Sequence, residues 1–156
     1  MMPMEHLQLE REVVIVLNQY AQLCDAREWS LMDQIFSPNA TAQYGDRVLA
    51  NPTAILAMLR DNLGGCGPTQ HLLGNLSVDA TPAGDGPPMV VTRIAVRASH
   101  CGAGENRHET YECMGHYKDM WCKTENGWRI AHRTMVVAFE FGNRKVLRPA
   151  SSVVTV

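Results

Sequence analysis

Two side chains in the sequence have the chemistry of a proton-transfer pair, Asp25 and His71. Histidine is the side chain best suited to take or give a proton near neutral pH, and a carboxylate that holds its other ring nitrogen makes it a better base. Asp25 follows an apolar helical stripe, where an unpaired carboxylate is costly to bury. The residues alone leave two interpretations open. Either Asp25 caps the next helix and His71 is a half-buried strand histidine, or the two side chains form a catalytic pair.

The stretch around His71 is predicted to be a strand, and side chains alternate between the two faces of a strand. Leu73 and Asn75 therefore share a face with His71. If that face lines a pocket, an imidazole and an amide enter an otherwise apolar cavity, and we predict that Leu73 and Asn75 bind substrate. Trp29, which follows Asp25 by four residues, is predicted to point inward and to line the same pocket.

Two arginines, Arg129 and Arg133, lie in the last predicted strand, residues 128–141. Simple alternation places Arg133 with Arg129 and Met135 on one face, and Ile130 with His132 on the other. An arginine inside a pocket would stabilise an oxyanion, whereas an arginine outside it is only a solvated charge. The pattern does not decide between these two positions.

The four tyrosines are the phenols that could donate a hydrogen bond to a substrate oxygen, although each could also be a simple core residue. Tyr111 and Tyr117 alternate with more polar side chains along one strand, so their face is predicted to line the pocket. Tyr20 and Tyr44 come from a predicted helix and a predicted short strand. His100 precedes the turn "GAGENR", a position where histidines are usually exposed, but we retain it as a substrate-binding candidate.

Composition restricts the class of protein and of partner. The chain has 156 residues, 46% hydrophobic and 19% charged, which is typical of one globular domain. We expect a domain over residues 1–141 and a C-terminal tail over 142–156 that could dock a partner. The net charge of -2 gives no reason to expect nucleic acid or an anionic membrane as a partner.

Targeting and cofactor signals are also informative. We see no secretory leader and no apolar run long enough to span a bilayer, and the 5 cysteines show no CxxC spacing. We therefore expect a cytoplasmic protein with free thiols and no metal or other cofactor. The chain has no GxSxG, P-loop or GxGxxG motif, so serine hydrolase, nucleotidase and dinucleotide enzymes have no support.

The order of predicted elements gives the fold class. Apolar spacing predicts helices over residues 5–24, 27–35 and 51–63, the last with Asn51 as N-cap and Pro52 in its first turn. A short strand is predicted over 41–44. From residue 69 onward, four strands joined by short turns predict an antiparallel meander with helices on one face, an α+β arrangement with a one-ended pocket.

Four segments of the chain, "YAQLCDAREWSLMDQIFSPNA", "TQHLLGN", "ASH" and "GHYKDMWCKTENGWRIAHR", resemble the SnoaL-like group of the nuclear-transport-factor-2-like superfamily. The resemblance covers roughly residues 15–140. It implies an α+β fold with a cone-shaped curved antiparallel sheet, mixed at one edge, wrapped around N-terminal helices and enclosing one deep pocket. It also implies assembly into a homodimer or homotrimer.

The resemblance is strongest to the cofactor-free lyases of that superfamily, which share an Asp–His pair, and it assigns this pair to Asp25 and His71. It assigns a catalytic tyrosine to Tyr20, a substrate-polarising tyrosine to Tyr44 and a pocket arginine to Arg133. A second polarising tyrosine of scytalone dehydratase falls on Cys24, so that feature is only half kept. Hexachlorocyclohexane dehydrochlorinase, another of these lyases, has a lysine at the position of Tyr20, which speaks against dehalogenation here.

The function implied is a cofactor-independent lyase of dehydratase or retro-aldol type, acting on a small hydrophobic, hydroxylated, aromatic or polycyclic compound. A polyketide- or steroid-type cyclase or isomerase would use the same pair of residues. A non-catalytic binder, or a partner subunit like the small subunit of a dioxygenase, stays open because one fold serves many functions.

Overall fold

The computed structural model describes residues 1–151. Its two α-helices are α1, Pro3–Ala26, and α2, Pro52–Leu63. The helix predicted over 51–63 is confirmed, since the Asn51 side chain accepts a hydrogen bond from Ala54 N and Pro52 begins the helix. The second predicted helix is instead a short 3₁₀ helix, Trp29–Gln34. None of the helices within the described residues is long and apolar enough to cross a bilayer.

Six strands form one curved, open sheet beside the helices. They are β1 (Phe36–Tyr44), β2 (Arg47–Leu49), β3 (Thr69–Ala83), β4 (Gly86–Cys101), β5 (Thr110–Thr124) and β6 (Gly127–Gly142). Their order is β2-β1-β6-β5-β4-β3. All neighbours are antiparallel except β1 and β6, which are parallel, so the α+β class and the mixed edge are confirmed. β1 begins five residues earlier than predicted, and β2 was not predicted.

One apolar core lies between the helices and the inner face of the sheet. Helix α1 contributes Val13, Leu17 and Tyr20, which fall at the spacing of one helix face. Along β4 every second side chain from Val90 to His100 is buried, because successive residues of a strand point to opposite faces.

Two β-bulges change which side chains reach the core. In β3 the pairing with β4 shifts between Gly74 and Ser77, and in β6 the pairing with β5 shifts at Ala131. Each bulge adds one residue to its strand, so the side chains that follow it lie on the opposite face until the register shifts again. The simple alternation predicted for β6 is therefore wrong: Ile130 and Arg133 both point into the core.

The chain after β6 packs against its own domain up to the last described residues. A 3₁₀ helix, Arg144–Val146, follows the sheet, and the Val146 side chain is buried. The Arg148 backbone bonds to Asn62 and Gly65, and a Cβ on Gly65 would lie only 2.2 Å from Pro149 O. The last part of the predicted tail, 152–156, lies outside the described residues.

Candidate active site

Asp25 and His71 are in direct contact. Asp25 lies in the last turn of α1, and His71 is the third residue of β3. The His71 Nδ1 nitrogen lies 2.7 Å from Asp25 Oδ1, and the His71 backbone N–H donates to Asp25 Oδ2 at 3.0 Å. A carboxylate only accepts hydrogen bonds, so Nδ1 carries the proton and Nε2 keeps its lone pair.

The environment keeps Asp25 ionised. Burial raises the pKa of its carboxyl, but hydrogen bonds from the side chain and backbone of His71 and from Thr69 more than offset this, so the pKa lies below its usual range. The carboxylate makes its side-chain bonds to β3 and does not cap the 3₁₀ helix that follows, whose N-cap position is Glu28. The structure thus gives Asp25 the geometry that orients an imidazole.

His71 opens onto a cavity of about 680 Å³ between the helices and the sheet. The His71 side chain is only 6% exposed. Its Nε2 has no hydrogen-bond partner within residues 1–151, and this atom remains accessible from the cavity that His71 lines. The cavity wall is largely apolar, with polar groups at a few points. Its polar and aromatic members include Tyr20, Tyr44, His100, Tyr111 and Tyr117.

A second imidazole, that of His100, lies beside the first. The rings of His71 and His100 are perpendicular, with centroids 5.7 Å apart. The Nδ1–H of His100 donates to the carbonyl of Tyr111 at 3.0 Å, so its Nε2 is the acceptor nitrogen. Burial lowers the pKa of His100 to about 4, and this histidine is therefore neutral at pH 7. His100 is buried because β4 continues to Cys101 and places it on the inner face.

Two phenols meet in the cavity wall. Tyr20 from α1 and Tyr44 from β1 have their hydroxyl oxygens 3.3 Å apart, and Tyr117 from β5 packs edge to face on the Tyr20 ring. Burial raises the pKa of all three phenols, so they are protonated donors near neutral pH. Tyr111 is occupied differently, since its hydroxyl donates to the Glu140 carboxylate.

Behind the phenols lies a completely buried ion pair. Arg133 donates to Asp119 with two hydrogen bonds, 2.8 and 2.7 Å long, and both side chains are 0% exposed. The guanidinium carbon is 4.3 Å from the Tyr20 ring centre and 3.9 Å from that of Tyr117. Burial opposes the charge of Arg133, but Asp119 outweighs it and raises the pKa of the guanidinium above its usual value.

The remaining nitrogen of that guanidinium is unusual. Arg133 Nη1 is buried without a hydrogen-bond partner among the described residues. A buried donor without a partner is costly in a native protein and commonly marks a functional site. The guanidinium as a whole holds a fixed positive charge against the rings of Tyr20 and Tyr117. Arg133 itself is not on the cavity surface, so its charge reaches the cavity across those phenols.

A family comparison identifies the domain. Residues 5–134 match the model of the SnoaL-like domain. The chain belongs to the SnoaL-like domain family. No curated protein is similar enough in sequence to be counted as a relative of this SnoaL-like chain.

Solved structures with the same fold are distant in sequence. A candidate scytalone dehydratase from Novosphingobium aromaticivorans is 16% identical, with a TM-score of 0.78 over 97% of this chain and 98% of its own. A hexachlorocyclohexane dehydrochlorinase from Novosphingobium barchaimii is 11% identical, with a TM-score of 0.74 over 91% and 94%. A nuclear transport factor 2-like protein from Salmonella enterica is 16% identical, with a TM-score of 0.65 over 95% and 96%. These likenesses confirm the fold.

Three predicted pocket residues of this SnoaL-like domain lie elsewhere. Asn75 is exposed in the β3 bulge with φ 55, so it has left the face of His71. Leu73 packs on the core where α1 covers β3, and Trp29 packs on the core from the 3₁₀ helix after the chain turns at Arg27. None of the three is on the cavity surface.

The sequence analysis missed three residues that contact the site. Asp119 follows Tyr117 by two residues and therefore shares its strand face, but the β6 bulge hid its cross-strand partner, Arg133. Thr69 and Arg27 were not considered, although Thr69 precedes His71 by two residues and therefore shares its strand face. Among the described residues, no group of three or more His, Cys, Asp or Glu side chains could hold a metal ion.

Proposed function

We propose that the protein is a cofactor-independent lyase in which His71 is the general base and Asp25 its orienting partner. The observation that carries the proposal is the 2.7 Å contact between His71 Nδ1 and Asp25, which leaves Nε2 as the basic nitrogen toward the cavity. General acid–base catalysis of this kind contributes roughly 10²–10⁴-fold to a rate.

The substrate is a small hydrophobic, hydroxylated compound, aromatic or polycyclic. A cavity of about 680 Å³ is large enough for such a molecule. Its wall is largely apolar, and the polar groups around His71 and Tyr20 are imidazoles and phenols, which bind hydroxyl or carbonyl oxygens. Its charged members, Arg47, Glu140 and Arg144, are exposed side chains. His100, neutral near pH 7, offers an acceptor for a substrate hydroxyl, and Tyr44 with Tyr20 offers donors.

Two lyase reactions fit this arrangement. In a dehydration, His71 takes a proton from carbon, the electron pair of that C–H bond forms a C=C bond, and the C–O bond of the adjacent carbon breaks. The leaving hydroxide takes the proton from the His71 imidazolium and departs as water. In a retro-aldol cleavage, His71 takes the hydroxyl proton, the adjacent C–C bond breaks to release an aldehyde, and the proton returns to the carbanion. In both, Tyr20 or Tyr44 hydrogen-bonds the oxygen that gains negative charge, and Arg133 lowers the cost of that charge.

The experiment is a turnover screen of hydroxylated aromatic and polycyclic compounds, with product mass as the readout. A product lighter by one water supports the dehydratase, and release of a small aldehyde supports the retro-aldol lyase. An unchanged mass with a changed structure supports a cyclase or isomerase that uses the same pair. His71→Asn is the control, because its amide still donates to Asp25 but offers no basic ring nitrogen. Equal turnover by this variant excludes His71 as the base.

We also propose that the chain forms a homodimer or homotrimer. The support is a set of large apolar side chains on the sheet, among which Phe139 and Phe141 are 54% and 61% exposed. Exposed apolar patches of this kind are typical of interaction surfaces. Light scattering after size exclusion would give the mass in solution, and a monomer at micromolar concentration would contradict the proposal.

A further inference from the structure

The Asp25 carboxylate has a third hydrogen-bond donor besides the two groups of His71. The hydroxyl of Thr69, at the start of β3, donates to Asp25 Oδ1 at 2.9 Å. This is the same oxygen that receives Nδ1–H of His71. Thr69 therefore acts on the oxygen that orients the imidazole.

The direction of the Thr69 hydroxyl is fixed by a guanidinium. Arg27 Nη1 lies 2.7 Å from Thr69 Oγ1 and can only donate to it, so the hydroxyl proton is left to point at Asp25. The hydrogen bonds run from Arg27 to Thr69 and from Thr69 to Asp25, while His71 donates to the same carboxylate oxygen from the other side. Thr69 and His71 therefore hold Asp25 Oδ1 between them, and Thr69 fixes where the carboxylate stands relative to the imidazole.

Arg27 is held firmly enough to fix that direction. Its Nε donates to the carbonyl of Leu63 at the end of α2, and its Nη2 donates to the carbonyl of Gly67 before β3. Nη1, which donates to Thr69, also contacts the carbonyls of Cys24 and Asp25 in α1. Arg27 also adopts φ 59, a left-handed conformation that non-glycine residues rarely take. Backbone strain of this kind persists where surrounding contacts impose it, and it clusters at functional sites.

We propose that Arg27 and Thr69 are positioning residues of the Asp25–His71 pair, which they hold in the geometry that presents His71 Nε2 to the cavity. The proposal rests on the proposed function of His71 as base. Arg27 and Thr69 would thus affect catalysis through the Asp25–His71 pair, although neither residue lies on the cavity surface. A purely structural role for Thr69 would stabilise the loop before β3 without changing the imidazole.

The test observes the imidazole directly and needs no substrate. The full chain is labelled with ¹⁵N-histidine, and the tautomer and the Nδ1–H exchange rate of His71 are measured by NMR in wild type, Thr69→Val and Thr69→Ser. Without the Thr69 hydroxyl the Asp25 carboxylate is freer to turn away from the ring, so we expect Nδ1–H exchange about tenfold faster in Thr69→Val, the factor that corresponds to the loss of a hydrogen bond to a charged group. Thr69→Ser keeps the hydroxyl and should exchange like wild type.

A matched control lies at a second Thr–His contact in the same sheet. Thr41 Oγ1 is 2.6 Å from His132 Nδ1, and neither residue lines the cavity. Thr41→Val should change the signal of His132 and leave that of His71 as it is in wild type. Thr69→Val should do the reverse.

The outcomes separate the two proposals. Wild-type exchange and tautomer at His71 in folded Thr69→Val would overturn the positioning role. If Thr69→Val does not fold, Thr69→Cys replaces it, because a thiol is a weak donor of similar size, and wild-type exchange there would overturn the proposal equally. Neither result bears on whether His71 is the base, which the turnover of His71→Asn decides separately.

Discussion

Replacement of Asp119 by asparagine should destabilise the fold strongly, because it leaves the Arg133 charge buried without a counter-ion. Both side chains are 0% exposed and joined by two hydrogen bonds. Removal of one partner from a pair buried in this way costs about 3–5 kcal/mol. At roughly 2–4 °C per kcal/mol for a domain of this size, the melting temperature should fall by about 6–20 °C.

The double variant Asp119→Leu with Arg133→Met should recover that stability. Replacing a buried ion pair by apolar side chains of similar volume is commonly neutral or stabilising, by about 1–4 kcal/mol. Turnover should not recover with it, since the cation beside Tyr20 and Tyr117 is gone. The pair would then be retained for the site and not for the stability of the fold.

Urea unfolding, followed by tryptophan fluorescence in all three proteins at one pH, gives the free energies of unfolding. A loss below about 1 kcal/mol in Asp119→Asn would refute the reasoning, since that is the value of an exposed pair. A double variant as unstable as the single one would refute it too, because the cost would then come from lost packing and not from an unpaired charge.

Three further predictions concern pH, the C-terminal segment and the phenols. The pKa of His100 falls from 6.5 to about 4 on folding, so the unfolded chain binds the extra proton between these values, and wild type should lose up to about 3 kcal/mol of stability as pH falls from 6.5 to 4. Urea midpoints of His100→Asn, which keeps a donor for Tyr111 O, should lack that loss. The lowered pKa of Asp25 adds acid sensitivity as the pH falls below the ordinary value of 3.8. Gly65→Ala should speed hydrogen exchange in the segment around Pro149, because a Cβ would lie 2.2 Å from its carbonyl, whereas Gly74→Ala, with open space around it, should change nothing. Tyr44→Phe should fold normally but lower turnover about 10²-fold, as loss of an oxyanion donor does, and wild-type turnover would remove Tyr44 from the mechanism.

The elements that could be predicted from the sequence are those whose signals lie in adjacent residues. The Asn51 cap and the four strands after residue 69, which short turns join, depend on adjacent residues, and both were predicted. The 3₁₀ helix Trp29–Gln34 was mistaken for an α-helix because its apolar spacing is the same over so short a stretch. The beginning of β1 was missed because its partner, β6, lies about ninety residues later along the chain.

The residues of the candidate site also fall into those that the sequence could predict and those that it could not. The contact between Asp25 and His71 followed from a family resemblance, and the inner faces of Tyr111 and Tyr117 followed from alternation. Asn75 was misplaced because a bulge adds a single residue and leaves no periodic trace in the sequence. The same limit hid the pairing of Asp119 with Arg133, which depends on the extra residue at Ala131.

The most direct measurement of the central claim is the turnover of His71→Ala with and without added imidazole, on a substrate found by the screen. If His71 Nε2 is the base, turnover should fall by about 10²–10⁴-fold, and imidazole should restore part of it by entering the space that the ring vacates. The near-ultraviolet circular dichroism of the variant should match wild type. Wild-type turnover by the folded variant, without imidazole, would contradict the assignment of His71 as the catalytic base.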